Sequence, residues 1–240
     1  MTRSAHSLAA GIGCITFDLD DTLWACAPVI EQAERLLHGW LARRCPGFAR
    51  RYDLDAFIAA RGRHWQANPQ WHHDMTALRK DFLRQLLAEC GCDDALAGPA
   101  FGVFFEARNA VCLHQGAEAT LQRLGRRFRL GVVTNGNADV HRIGIGHLFD
   151  FVVTTAEVGR PKPDAVVYRA VVDRAALPAG RILHVGDDPV RDVQGAAAVG
   201  MKTAWVNARG RAWTHPEVRP DLELHGVDEL PALLGVEGAT

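Results

Sequence analysis

The sequence predicts an α/β protein built on a largely parallel sheet and interrupted, just after its first strand, by an all-helical insert. Three observations lead there. Short apolar, β-rich runs recur at Cys14–Phe17, Leu130–Thr134, Phe151–Thr155, Ile182–Val185 and Thr203–Val206. Each is too short for a helix and lacks alternation, the pattern of strands buried on both faces. Helix-period stretches lie between them, near Gly116–Gly125, Ala138–His147, Asp164–Ala176 and Val190–Val199, and such strand–helix alternation calls for parallel pairing. The interval from Ala25 to Val111 holds no strand-like run and several helical periods.

The first strand is the end of an apolar run from Leu8 to Phe17 that passes directly into Asp18-Leu19-Asp20-Asp21. Without a small-residue cleavage signature it reads as a buried strand and not as a signal peptide. In the insert, Val29, Ile30, Ala33, Leu36, Leu37, Trp40 and Leu41 form one apolar helical face. A second helix is expected over Met75–Cys90, and a third over Ala95–Asn109 with a start weakened by Gly98, Pro99 and Gly102. A weak strand at Asp221–Leu224 and a short helix near Val227–Leu234 complete the chain.

Composition narrows the function classes. With 240 residues, 48% of them hydrophobic, the chain can bury a sizeable core. The balance of 27 basic against 28 acidic residues points to no nucleic acid and no anionic membrane as partner, and a small molecule is the simpler expectation. No apolar stretch approaches the roughly 18–20 residues needed to span a bilayer, so a cytoplasmic protein is expected. The six cysteines, Cys14, Cys26, Cys45, Cys90, Cys92 and Cys112, contain no C-x-x-C pair and read as reduced packing residues. No structural metal is expected from them.

Four short elements, each behind a different strand, carry the chemistry. Asp18-Leu19-Asp20-Asp21-Thr22 follows the first strand; alternation aims Asp18 and Asp20 one way and Leu19 the other, and paired carboxylates call for a cation. Thr134-Asn135-Gly136-Asn137 supplies a hydroxyl, backbone amides and a glycine suited to an anionic oxygen. Arg160-Pro161-Lys162-Pro163 presents one lysine from a stiffened loop. Gly186-Asp187-Asp188-Pro189-Val190-Arg191-Asp192 adds hard oxygen ligands. Singly, each has a bland reading: a helix N-cap at Asp20 or Asp21, a turn at Thr134, a surface lysine at Lys162. In a parallel sheet, however, all four loops gather where ligands bind.

These four elements resemble the motifs of the haloacid dehalogenase-like hydrolase superfamily, matched at Asp18/Asp20/Thr22, Thr134/Asn135, Lys162 and Asp187/Asp192. The resemblance implies a Rossmann-like core, residues 1–24 and 112–240, with a helical cap, residues 25–111, that closes over the site. It implies a magnesium-dependent phosphatase acting on a small phosphorylated metabolite through an aspartyl-phosphate on Asp18, with Asp20 as general acid and base. Magnesium would lie between the Asp18 and Asp187 side chains and the Asp20 carbonyl. Thr134, Asn135 and Lys162 would bind the phosphoryl group, with Thr22 and Asp192 behind them, Asp192 orienting Lys162 or a water on the metal.

Asp20 favours phosphatase over dehalogenase, since an alkoxide leaving group needs a proton and a halide does not. The run Phe17–Trp24, Pro28-Val29-Ile30, His73–Thr76 and His184–Asp188 is similar to the YigB-like branch. That branch is associated with flavin mononucleotide and the phosphorylated pyrimidine of riboflavin synthesis. Nucleotide or sugar phosphatases, a phosphomutase and, further off, a phospho-acceptor signalling domain remain alternatives; oligomeric state is not legible. In the cap, His64, Trp65, Trp71, His72 and His73 could meet a heterocycle, while Trp65 and Trp71 could equally fill the cap core. Arg79 and Lys80 read as a solvated face.

Overall fold

The computed structural model describes residues 10–236; Leu8 and Ala9, the start of the run read above as a strand, lie outside them. The chain divides into two compact units: one made of the stretches up to Ala25, Cys112–Gly136 and from Val140 onward, the other of Cys26–Val111 with Asn137–Asp139.

The first unit holds a sheet of six strands: β1 (Cys14–Phe17), β2 (Arg129–Thr134), β3 (Phe151–Thr154), β4 (Ile182–Gly186), β5 (Lys202–Val206) and β6 (Leu222–Leu224). Their order is β3-β2-β1-β4-β5-β6 and every pairing is parallel. This is the Rossmann-like arrangement, and its order reverses between β1 and β4, where a crevice opens at the carboxyl ends. All four residues of β1 and all five of β4 are buried, as expected of strands covered on both faces. Each buried Ile, Val, Leu or Phe side chain contributes about 1.5–3 kcal/mol.

The helices Ala117–Leu124 and Ala165–Ala175 follow the predicted periods. Two others are shorter than predicted. The stretch Ala138–His147 yields only Val140–Ile143 and a 3-10 turn, because Gly144 adopts φ 95° and reverses the chain. Val190–Val199 begins as a π-helical turn, Pro189–Gln194, and becomes α-helical only at Gly195–Ala197; Asp188 Oδ1 accepts from Val190 N and Arg191 N and holds that wide first turn.

The second unit is helical throughout its described elements: Cys26–Arg44, Pro46–Arg51, Leu54–Ala67, Met75–Glu89 and Ala97–Arg108, with short 3-10 turns. Pro46–Arg51 and Leu54–Ala67 were not foreseen, although Asp53 caps the latter by accepting from Ala56 N at 2.8 Å, a readable start signal. Its core includes Ala33, Leu37, Leu41, Phe48, Phe57, Phe82, Leu86 and Phe104.

Three expectations are corrected in this unit. Cys45 and Cys92, 47 positions apart, form a disulfide with a Cα separation of 5.9 Å, so these two are not reduced packing thiols. The turn after Cys45 lies so tight against Cys90 that a Cβ on Gly47 would collide with the Cys90 carbonyl; long-range packing, invisible to a search for short spacings, brings the sulfurs together. Arg79 is not solvated: its side chain is 10% exposed, ion-paired with Glu34 at 2.9 Å and stacked on Phe104 at 3.5 Å. Trp71 does not fill the core, being 41% exposed; Trp65, half-buried, stacks on His72 at 4.9 Å. Among the described residues no helix is long and apolar enough to cross a membrane.

Candidate active site

The loops leaving β1, β2 and β4, with the loop carrying Lys162, converge where the strand order reverses. Asp18 follows β1 directly, its N–H donating to Val185 O at 2.9 Å, and the residue is 7% exposed. Leu19 turns into the core, fully buried, while Asp20 is half-buried. The loop then folds on itself: Leu23 N donates to Leu19 O at 2.8 Å, Asp21 N donates to Trp24 O at 2.7 Å, and Asp21 takes φ 59°. Neither Asp20 nor Asp21 caps a helix. Instead the fully buried Trp24 returns its indole N–H to Asp20 Oδ1 at 2.9 Å, fixing that carboxylate. Thr22 is buried, and its hydroxyl has no hydrogen-bond partner among the described residues.

Lys162 is the hub. Its ammonium donates to Asp18 Oδ1 at 2.5 Å, Asp192 Oδ1 at 2.7 Å and Val133 O at 3.2 Å, all three ammonium protons being used. The Asn135 side chain clamps the backbone of Lys162 reciprocally, accepting from Lys162 N at 2.8 Å and donating to Lys162 O at 3.3 Å. Thr134, 1% exposed, accepts at Oγ1 from Gly136 N at 3.0 Å.

Behind Lys162 lies a residue the sequence reading left without a role. His184, on β4 and fully buried, donates from Nε2 to Asp192 Oδ1 at 3.2 Å, and its Nδ1 accepts from the Thr16 hydroxyl at 3.0 Å. The tautomer follows from Asp192, which can only accept. Burial lowers the His184 pKa, against the pull of Asp192, and keeps the ring neutral. Asp192 Oδ2 accepts from Asp188 N at 3.0 Å, so both of its oxygens are occupied. A Cβ on Gly186 would strike the Asp192 carboxylate, which is why that position is glycine.

Electrostatics give the site its character. Burial would raise Asp192, but the charge of Lys162 and the His184 hydrogen bond outweigh it and hold the carboxyl well below the usual range. Burial likewise opposes the charged form of Lys162, and Asp18 and Asp192 overcome it, raising the lysine. Asp18 is pushed well above the ordinary carboxylate value by burial, with Asp192 and Asp20 adding to the shift and Lys162 opposing it. Asp187 is pushed up to about 7 by burial and by Asp192, Asp21 and Asp188. One lysine thus faces more carboxylate than it can neutralise. The carboxylates of Asp18, Asp187 and Asp192 lie within 4.8 Å of one another, a donor set of hard oxygens that fits a divalent cation. Asp192, saturated by hydrogen bonds, is the least available of the three.

A Rossmann-like sheet carrying a buried carboxylate–lysine cluster at its topological switch is the frame of an α/β enzyme. The model of the haloacid dehalogenase-like hydrolase family matches residues 12–200, and the chain belongs to that family. It is 31% identical to the 5-amino-6-(5-phospho-D-ribitylamino)uracil phosphatase YigB of Escherichia coli, over 93% of this chain and 96% of that protein. It is 33% identical to a phosphoserine phosphatase of Thermus thermophilus over 63% of each chain. A solved structure described as a 2-haloacid dehalogenase from Pseudomonas syringae is 37% identical with a TM-score of 0.86, covering 93% of this chain and 98% of its own. The chain is therefore a hydrolase, and the phosphatases among its relatives support the phosphatase branch.

Proposed function

We propose that the protein is a magnesium-dependent phosphomonoester hydrolase that works through an aspartyl-phosphate on Asp18. The observation that carries this reading is the pairing of a buried, lysine-bound Asp18 with an Asp20 held by the Trp24 indole two residues on: a nucleophile beside a separate acid. Asp18 attacks phosphorus in line while Asp20 protonates the departing ester oxygen. Asp20, now ionised, takes a proton from the water that attacks the acyl phosphate, which releases inorganic phosphate and restores Asp18. Lys162, the Thr134 hydroxyl and the Asn135 backbone N–H neutralise the charge on the phosphoryl oxygens. The side chains of Asp18 and Asp187 and the Asp20 carbonyl would hold magnesium, which when bound offsets the surplus negative charge of the site and of the phosphoryl group.

Cys26–Val111 serves in this reading as a cap that selects the substrate. The YigB relationship, spanning nearly the whole chain, favours a riboflavin-pathway pyrimidine phosphate or flavin mononucleotide. A second reading, haloacid dehalogenase, is favoured by the Pseudomonas syringae structure. Displacement of halide from carbon leaves Asp20 without a task, and for that reason phosphate esters are preferred.

Phosphate release from a panel of metabolite phosphates, with halide release from 2-haloacids in parallel, tests both readings. Expected are magnesium-dependent phosphate release, abolished by chelator and by Asp18→Asn, and no halide. Halide release without phosphate release would transfer the conclusion to the dehalogenase reading.

A further inference from the structure

The backbone of Asp187 is gripped from a neighbouring strand in a way that neither the motif nor the family match accounts for. Its carbonyl oxygen accepts two hydrogen bonds, from the Trp205 indole N–H at 2.9 Å and from Arg211 Nη2 at 3.0 Å. Trp205 belongs to β5, paired beside β4, and is 1% exposed. Its ring meets the edge of Trp213 at 4.9 Å, and the Trp213 indole N–H donates to His215 O at 2.6 Å and Val218 O at 2.8 Å, folding the loop back on itself. Arg211 lies on the surface, yet its backbone is fixed by the buried Asn207. Asn207 Oδ1 accepts from Arg211 N at 2.8 Å, and Asn207 Nδ2 donates to Arg211 O at 2.9 Å and to Glu223 Oε1 at 2.6 Å. The grip is thus built into β5, β6 and the segment between them.

Such a grip has a physical purpose beside an acidic cluster. Asp187 stands within 4.8 Å of the carboxylates of Asp18 and Asp192, and like charges at that range drive an unrestrained side chain outward toward water. Two donors on its carbonyl, one of them charged, fix the Asp187 peptide and hence the direction in which its Cβ leaves the backbone. We propose that Trp205 and Arg211 are positioning residues that hold the Asp187 carboxylate toward Asp18 and so preorganise the site for a divalent cation. The inference rests on the reading that Asp187 holds that cation. Partners of this kind, acting through a ligand and not on the substrate, are worth about 10–100-fold in metal affinity.

The test is Mn2+ binding to the metal-stripped full chain, read from the electron paramagnetic resonance signal of free Mn2+, for wild type, Asp187→Asn, Arg211→Ala, Arg211→Lys and Trp205→Phe. Wild type binds and Asp187→Asn loses binding. Arg211→Ala and Trp205→Phe weaken it by about tenfold or more, Arg211→Lys recovers part of the loss, and kcat at saturating metal and KM for a phosphate ester stay unchanged. If Trp205→Phe fails to fold, Arg211→Ala decides, because Arg211 lies on the surface and its removal opens no cavity. Wild-type affinity in Arg211→Ala and in any folded Trp205→Phe would overturn the inference while leaving the cation reading intact. Absence of Mn2+ binding by wild type, or full binding by Asp187→Asn, would overturn the cation reading and the inference with it.

Discussion

The molecule buries two charge clusters, one on the sheet and one in the helical unit, and they are satisfied differently. On the sheet, Lys162 uses every ammonium proton and Asp192 both oxygens. In the helical unit, the buried Glu34 meets Arg61 at 3.0 Å and Arg79 at 2.9 Å through a single oxygen. Glu34 Oε2 and Arg79 Nη1 stay buried without a hydrogen-bond partner among the described residues. The first cluster keeps an excess of negative charge that a divalent cation would offset. The second sets one carboxylate against two guanidinium groups and leaves polar atoms without a hydrogen-bond partner among the described residues, a stability element whose desolvation is only partly offset.

The largest effect that would sharpen this contrast belongs to Asp20. Asp20→Asn keeps the Trp24 hydrogen bond within reach and removes the proton donor. Turnover of alkyl phosphates should fall by about 10²–10⁴, and the deficit should shrink for leaving groups that depart without a proton. Steady-state rates across leaving groups of graded acidity check this; a loss independent of leaving group would reduce Asp20 to an electrostatic role.

Next comes Glu34. Glu34→Gln preserves shape and leaves the largely buried Arg79, and with it the partly exposed Arg61, without a counter-charge, at a cost of about 3 kcal/mol, read as a lowered midpoint in urea unfolding. Metal binding by the sheet cluster should not change, since Glu34 shares no partner with it. Unaltered stability would mean that the guanidinium groups find other compensation and that the two clusters differ less than their hydrogen bonds suggest.

The same contrast governs what the sequence made legible. Strands buried on both faces are short and apolar, so the runs read as β1 to β5 match to within one residue at each end, although the longer run from Leu8 does not continue β1 backward: Ala10 and Gly11 are helical and the strand begins only at Cys14. The loops behind them carry their chemistry in four contiguous words, and Asp18, Lys162 and Asp192 meet as those words required. Contacts made across strands were not legible: His184 looked like one more strand residue, and the grip of Trp205 and Arg211 on Asp187 joins positions 18 and 24 apart. In the helical unit the apolar period placed Ala33, Leu37 and Leu41 inside correctly. It also placed Leu36 inside and left Glu34 out; Leu36 is 47% exposed and Glu34 is 1% exposed. Hydropathy ranks a glutamate as surface unless its two arginines are already known to face it, and those stand on other helices.

The disulfide provides the smallest expected effect and the cleanest separation of the two regions. Cys45 has two jobs: its sulfur bonds Cys92, and it also accepts from Phe48 N at 3.3 Å as the cap of Pro46–Arg51. Serine can take over the cap but not the covalent bond, so Cys45→Ser isolates the cross-link. Closing a loop of this length restrains the unfolded chain by about 2–4 kcal/mol, and a reductant on wild type should reproduce the loss of thermal stability seen in the mutant. Phosphate release below the melting transition should be untouched, because every group proposed to act on phosphorus belongs to the unit that holds the sheet and not to the helical one. A Cys45→Ser enzyme that melted normally yet turned over slowly would show instead that the order of the helical unit, and not its mere presence, sets the rate at the aspartates.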